Sequence, residues 1–147
     1  MSTTEATTDL DREQIVVFSL TAGEYALRMR DVKEIIPYTQ PRTVSSDRPS
    51  MQGVISLRGR IIPVCELAAQ LGMTTEKPHG NIIVVEAGDI VAGILVERVE
   101  EVLSIQNGAL AHVPAAAELT NTIAQVDDRL IVLLDAAILL ADFHLAA

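Results

Sequence analysis

From Gln14 onward the chain alternates short apolar runs with polar punctuation. QIVVFSL (14–20), the turn Thr21-Ala22-Gly23-Glu24 and YALRMR, with its alternating apolar positions, predict a β-hairpin. DVKEIIPYTQP continues extended until Pro37 and Pro41 interrupt it. The polar stretch RTVSSDRPSMQ predicts a loop, and GVISL and RIIPV predict two strands meeting at Arg58-Gly59. CELAAQLG predicts a short helix that Gly72 stops, and TTEKPHGN a second loop. Residues 1–13 lack apolar periodicity and predict a flexible tail.

At Asn81 the pattern starts again. IIVVEAGDIVAGILVERVEEVLSI repeats the layout of QIVVFSLTAGEYALRMRDVKEIIPY. Val32-Lys33-Glu34-Ile35-Ile36 matches Val99-Glu100-Glu101-Val102-Leu103, 67 positions later. RIIPVCELAAQL returns as RLIVLLDAAILL, with Arg60 against Arg129 at a spacing of 69. Several short strands and one short helix, twice over, predict a mainly β fold of duplicated small barrels rather than βαβ units. The tail apart, residues 14–147 then form one domain of two subdomains, mainly 14–80 and 81–147.

A chain of 147 residues can bury ~70% of its unfolded surface, whereas either half alone would bury only ~60%, so the halves should share a core. Aromatic residues are 3% of the chain and Trp is absent, so Val, Ile, Leu and Ala must supply the packing. The net charge of −9 argues against general affinity for nucleic acid. Residues 28–60 nevertheless hold seven of the eleven basic residues and only three acidic ones. Either a surface kept for an acidic partner or a plain solvated face produces such a segment. A single cysteine excludes an intramolecular disulfide, and the apolar runs LIVLL and AAILLA are too short to span a bilayer. The expected location is cytoplasmic.

No catalytic constellation assembles along the chain. His79, His112 and His144 are each more than thirty residues apart, without zinc-ligand spacing, and read as surface or loop residues. Cys65 is either a reactive thiol at a helix start or, more simply, a small core hydrophobe. Asp127-Asp128 reads as a turn before a strand. GVISLRG lacks the spacing and the Lys-Ser/Thr of a phosphate loop. No cofactor and no metal are expected.

What remains is surfaces. Val32, Ile35, Val99 and Val102 occupy equivalent places in the two halves and could line a junction between them. At the Arg58-Gly59 bend, Gly59 supplies the unusual backbone conformation and both arginines reach water. The arginine fork suits a carboxylate partner, but composition alone favours a solvated turn that protects a sheet edge.

The stretch Gly53-Val-Ile-Ser-Leu-Arg58-Gly59-Arg-Ile-Ile-Pro63-Val64-Cys-Glu-Leu67 resembles the signature of the CheW family of chemotaxis coupling proteins. IVVFSLTAGEYALRMRDVKEII resembles that family's opening strands. Gly93-Ile-Leu-Val-Glu-Arg-Val-Glu-Glu-Val-Leu resembles its second-half hairpin, and Asp128-Arg-Leu-Ile-Val-Leu-Leu-Asp135 its last strand. The resemblance runs from about Gln14 to Leu140. Ser56 stands where Asn is usual, Glu66 where Asp is usual, and Thr122 at a common glycine position.

The resemblance implies two intertwined five-stranded SH3-like barrels with short helices, and no catalysis. It implies an adaptor between the cytoplasmic tip of methyl-accepting chemoreceptors and the regulatory domain of a CheA-type histidine kinase. Matched motif by motif, Val32, Glu34, Arg58, Val99 and Val102 are the implied receptor contacts, with Gly53 and Gly59 as structural turn glycines. The alternatives are a coupler of the same fold in a pilus-motility or other non-flagellar array, and a small thiol enzyme using Cys65.

Overall fold

The computed structural model describes residues 12–46, 48, 50–75, 77–114, 118–141 and 143. Its strands are β1 (Arg12–Leu20), β2 (Gly23–Arg28), β3 (Val32–Pro37), β4 (Met51–Leu57), β5 (Arg60–Glu66), β6 (Asn81–Ala87), β7 (Ile90–Val96), β8 (Arg98–Gln106), β9 (Leu110–His112), β10 (Thr122–Val126) and β11 (Arg129–Leu133). Single helical turns α1 (Leu67–Gln70) and α2 (Ala136–Leu139) follow β5 and β11, 69 positions apart. β1 begins at Arg12, opposite Gln106, so strand pairing reaches two residues into the segment expected to be a tail. The rest of that segment, and His144, lie outside the described residues.

The strands form two sheets, in the orders β8-β1-β2-β11-β10-β9 and β3-β6-β7-β5-β4. One sheet thus has six strands rather than five, because three-residue β9 adds itself beside β10. Neither sheet follows the expected division at 80/81. The six-stranded sheet joins 12–28 to 98–133, and the five-stranded sheet joins 32–66 to 81–96. Each repeat gives its first two strands to the sheet that holds the other repeat's remaining strands. The physical reason is that every pairing between the repeats, parallel β2–β11 and β5–β7 inside the sheets and antiparallel β1–β8 and β3–β6 at their edges, joins a first hairpin of one repeat to later strands of the other.

Three apolar clusters follow from this exchange. Ile15, Val17, Ala26, Ile105, Ala124, Ile131 and Leu133 fill the six-stranded barrel. Ile55, Ile62, Val64, Ile82, Val84 and Leu95 fill the five-stranded one. Between them lies a third cluster, to which Phe18, Leu27, Ile83, Val85 and Ile94 contribute from the strands and Leu67, Ala68, Ala136 and Leu139 from the helical turns. Alternation along β1 sends Ile15 and Val17 into the six-stranded barrel and Phe18 and Leu20, on the opposite face, into the central cluster. The Gln70 side chain donates 2.8 Å to the carbonyl oxygen of Leu139, its own counterpart in the second repeat. A local two-fold relation between the repeats therefore passes close to this hydrogen bond.

Two-residue turns close four hairpins: Thr21-Ala22, Arg58-Gly59, Gly88-Asp89 and Asp127-Asp128. The first is two residues where four were expected. Asp127-Asp128 is the turn foreseen, with Asp127 at φ 54°.

Candidate functional site

β3 and β8 are edge strands of their respective sheets, and they are the same structure twice. On β3, Val32, Glu34, Ile35 and Ile36 stand opposite Val85, Val84, Ile83 and Ile82, with the register shifting between Val32 and Glu34. On β8, Val99, Glu101, Val102 and Leu103 stand opposite Phe18, Val17, Val16 and Ile15, with the same shift. Every one of these residues is related to its counterpart by 67 positions. The bulge residues are Lys33 and Glu100. A bulge re-aims the side chains beside it and spoils an edge for further strand pairing.

The five residues carried by the family resemblance fall on or beside these strands. Val32 and Val99 are half-buried against the central cluster. Asn81 ties their strands together: its Nδ2 donates 3.4 Å to the Ile36 carbonyl, and its Oδ1 accepts from the Val99 amide at 3.0 Å. Val102 is 46% exposed and Ile35 is exposed beside Glu34. Ile35, which the repeat alone singles out, lies on the same strand as Val32 and Glu34.

Glu34 and Arg58 meet. Arg58 Nη2 lies 2.9 Å from Glu34 Oε2, with the arginine side chain 74% exposed. The reach comes from the turn: Arg58 at φ 52° and Gly59 at φ 79° are both left-handed, as a two-residue hairpin of native twist requires. Gly59 is the turn glycine expected. Gly53 is not at a turn. It lies inside β4 at a register shift, at φ 145°, and a β-carbon there would sit 2.1 Å from the Arg42 carbonyl oxygen. It is glycine because the backbone at Arg42 crosses it, forming an isolated bridge to Val54. Its counterpart Thr122 is an ordinary residue at the start of β10, opposite His112.

Arg60 and Arg129, a matched pair in sequence, differ in place. Arg129 donates from Nε to Glu24 Oε1 at 3.0 Å and from Nη2 to Glu24 Oε2 at 2.5 Å, and its Nη2 lies 2.8 Å from Glu101. The Arg129 hydrogen bond holds the Glu24 carboxyl below the usual range, and the two carboxylates together raise the guanidinium's pKa. Arg60 is exposed, with no side-chain partner among the described residues. The sequence explains the difference, because the counterpart of Glu24 is Val91.

Four of the seven basic residues of segment 28–60 face carboxylates, one of them inside the segment and the others from β1 and β6. Arg28 and Arg30 face Glu13, Lys33 faces Glu86, and Arg58 faces Glu34. Arg42, Arg48 and Arg60 are exposed and have no carboxylate partner among the described residues. An extended cationic face is therefore not what this segment builds.

Of the candidate chemistry, Cys65 lies in β5 rather than at a helix start. It is fully buried, and burial pushes its thiol up to about 12. His79 is mostly buried rather than at the surface. It stacks on Tyr38 and faces Glu66 across 3.1 Å. His112 is exposed on β9. Among the described residues no His/Cys/Asp/Glu group could hold a metal ion, and no helix is long and apolar enough to cross a membrane.

The sequence pattern does not single out one buried carboxylate. Glu97, the residue between β7 and β8, is 8% exposed and sits where the chain passes from one barrel to the other. Its Oε2 accepts from the Thr21 amide at 3.0 Å and from the Thr75 hydroxyl. Burial opposes its ionisation, but these hydrogen bonds, with Lys77 and His79 nearby, hold its pKa below the ordinary value. The signal in sequence was a lone acid closing the apolar run GILVERV.

Comparison with known proteins agrees with this geometry. The family model described as CheW-like domain matches residues 14–144. The probable chemotaxis protein CheW of Rhizobium etli is 32% identical over 133 residues, 85% of this chain and 84% of that protein. The chemotaxis protein CheW of Thermotoga maritima is likewise 32% identical, covering 83% of each chain. The crystal structure of scaffolding protein TtCheW from Thermoanaerobacter tengcongensis superposes with a TM-score of 0.78 at 31% identity. That match covers 84% of this chain and 88% of that one. A match over nearly the whole folded region, carried on the same two-sheet architecture, leaves one assignment: this chain belongs to the CheW family.

Proposed function

We propose that this protein is a non-enzymatic scaffold of bacterial chemotaxis that couples transmembrane chemoreceptors to a CheA-type histidine kinase. The observation that carries the reading is the pair of equivalent bulged edge strands, β3 and β8. They present Val32 and Glu34, the latter paired with Arg58, on one strand and Val99 and Val102 on the other. Apolar side chains at partial exposure, next to charges already held in place, suit a helical partner with an apolar stripe and a polar flank. The Cys65 thiol, buried and protonated at neutral pH, supports an adaptor over a thiol enzyme. The protein reaches the membrane through the receptors, from the cytoplasmic side.

Such an adaptor works through linked equilibria. Each receptor state must bind it with a different affinity for the kinase to respond, and a coupling of ~1–3 kcal/mol is typical of allosteric pairs. The Arg58–Glu34 pair is exposed, so its own worth to stability is only ~0.2–1 kcal/mol. Reversing it should therefore spare the fold and damage recognition. Arg58→Glu sets a second carboxylate against Glu34 and should reduce co-sedimentation with receptor-bearing membranes while leaving the thermal melt nearly unchanged. Unchanged recruitment with an unchanged melt removes Arg58 from the receptor surface. Recovery of a CheA-type kinase with this chain as bait tests the other half of the reading.

A further inference from the structure

The two repeats solve the same local problem with different arginines. In each, a glutamate follows the bulge of an edge strand: Glu34 on β3 and Glu101 on β8. In each, an arginine from a hairpin that closes its own barrel grips that glutamate, Arg58 at 2.9 Å and Arg129 at 2.8 Å. These arginines are not counterparts. Arg58 corresponds to Asp127, and Arg129 corresponds to Arg60. In the six-stranded barrel Glu24 supplies a second carboxylate that draws the strand residue Arg129 into place. In the five-stranded barrel Val91 stands there instead, Arg60 is left in solvent, and the turn residue Arg58 takes over the grip.

We infer that Arg129 is a positioning residue for the β8 half of the receptor surface. Through Glu101 it fixes the bulged segment Val99–Val102, as Arg58 through Glu34 fixes Val32–Ile35. This rests on the reading that β3 and β8 face the receptor. An edge strand beyond a bulge has neighbours on one side only, so a side-chain anchor at the bulge governs how Val99 and Val102 are aimed. The bidentate bond to Glu24 makes Arg129 the stiffer of the two clamps: its side chain is 33% exposed against 74% for Arg58. A receptor leaning on both strands meets one fixed contact and one that can be released.

The test separates positioning from mere stability by moving the clamp. Arg129→Gln should weaken co-sedimentation with receptor-bearing membranes by about three- to tenfold, measured well below the melting temperature. Adding Asp127→Arg to Arg129→Gln puts an arginine at the turn position that the other barrel uses, at a residue already at φ 54°. That double variant should regain recruitment although the Glu24 bond stays lost. Glu101→Gln, which leaves the Arg129–Glu24 bond intact, should weaken recruitment without lowering the melt much. The inference is overturned if Arg129→Gln and Glu101→Gln recruit normally, or if Asp127→Arg restores nothing. Val102→Asp checks the underlying reading separately. If it and Arg58→Glu both recruit normally, β3 and β8 do not face the receptor; if they fail while Arg129→Gln binds, only the present inference falls.

Discussion

Replacing Gly53 by alanine should be among the most damaging single-methyl changes available in this protein. The new β-carbon would lie 2.1 Å from the Arg42 carbonyl oxygen, 2.7 Å from its carbonyl carbon and 3.2 Å from Thr43 Cα. Carbon–oxygen contacts relax only beyond about 3.3 Å, so the two backbones must part by roughly an ångström. Two hydrogen bonds span that crossing, Arg42 N to Val54 O at 2.8 Å and Val54 N to Arg42 O at 2.9 Å. Losing both costs about 1–3 kcal/mol. Holding alanine at φ 145° adds about 1–3 kcal/mol of backbone strain. The sum, about 2–6 kcal/mol, should lower the urea midpoint by about 1–3 M for a denaturant slope near 2 kcal/mol per M. The converse change at the counterpart, Thr122→Gly, relieves no clash and should cost only about 1–2 kcal/mol, through backbone entropy and loss of the hydroxyl's contacts with His112 and Asn121. A Gly53→Ala midpoint within 0.3 M of the parent (about 0.6 kcal/mol at that slope), or a larger loss at Thr122→Gly, would refute the reasoning.

Three further outcomes are expected. Native Cys65 should react with an alkylating reagent only as fast as the protein opens. Because its folded pKa is raised, stability should be intact below the free thiol's value of 9.0 and fall as pH climbs toward about 12, measurable by urea titration against a Cys65→Ala control. Glu97 and Glu24 have lowered folded pKa values, so their contribution is present above the usual 4.5 and lost on acidification. Asp31, raised chiefly by desolvation, works in the opposite sense. The slope of stability against pH between about 3 and 5 should therefore be shallower in Glu97→Gln, which should also lose about 1–3 kcal/mol at neutral pH. Cutting the chain in the 72–80 connection should leave two fragments that co-purify, whereas either fragment expressed alone should show no cooperative melt.

Periodicity made the strands, the turns and the duplication legible, because alternation and turn chemistry are written locally. The exchange of strands was not. The runs 14–20 and 81–87 alternate in the same way, so nothing in either says which barrel it will enter; the pairings between repeats, β1–β8, β2–β11, β3–β6 and β5–β7, decide that at long range. The Arg58–Glu34 contact joins residues 24 apart, and the resemblance named both residues without giving their bond. The matched arginines misled in one respect. Arg60 and Arg129 look equivalent until Glu24 and Val91 are compared, and only a contact shows that those positions matter. The family signature marked Gly53 as a turn residue, although the demand on it comes from the Arg42 backbone crossing and not from its own neighbours.

The exchanged strands also set the order in which the chain can fold as it is made. The five-stranded sheet is complete once Val96 has emerged, but the β1–β2 hairpin, finished at Arg28, has no sheet to join until β8 through β11 appear. Translation at 5–20 residues per second spaces Arg28 from Leu133 by roughly 5–20 s. A lone two-stranded hairpin is marginal in water, and Ile15, Val17 and Ala26 on this one find their cluster only with Ile105, Ala124, Ile131 and Leu133. The newborn chain therefore carries one apolar face of this hairpin in waiting until Leu133 has emerged.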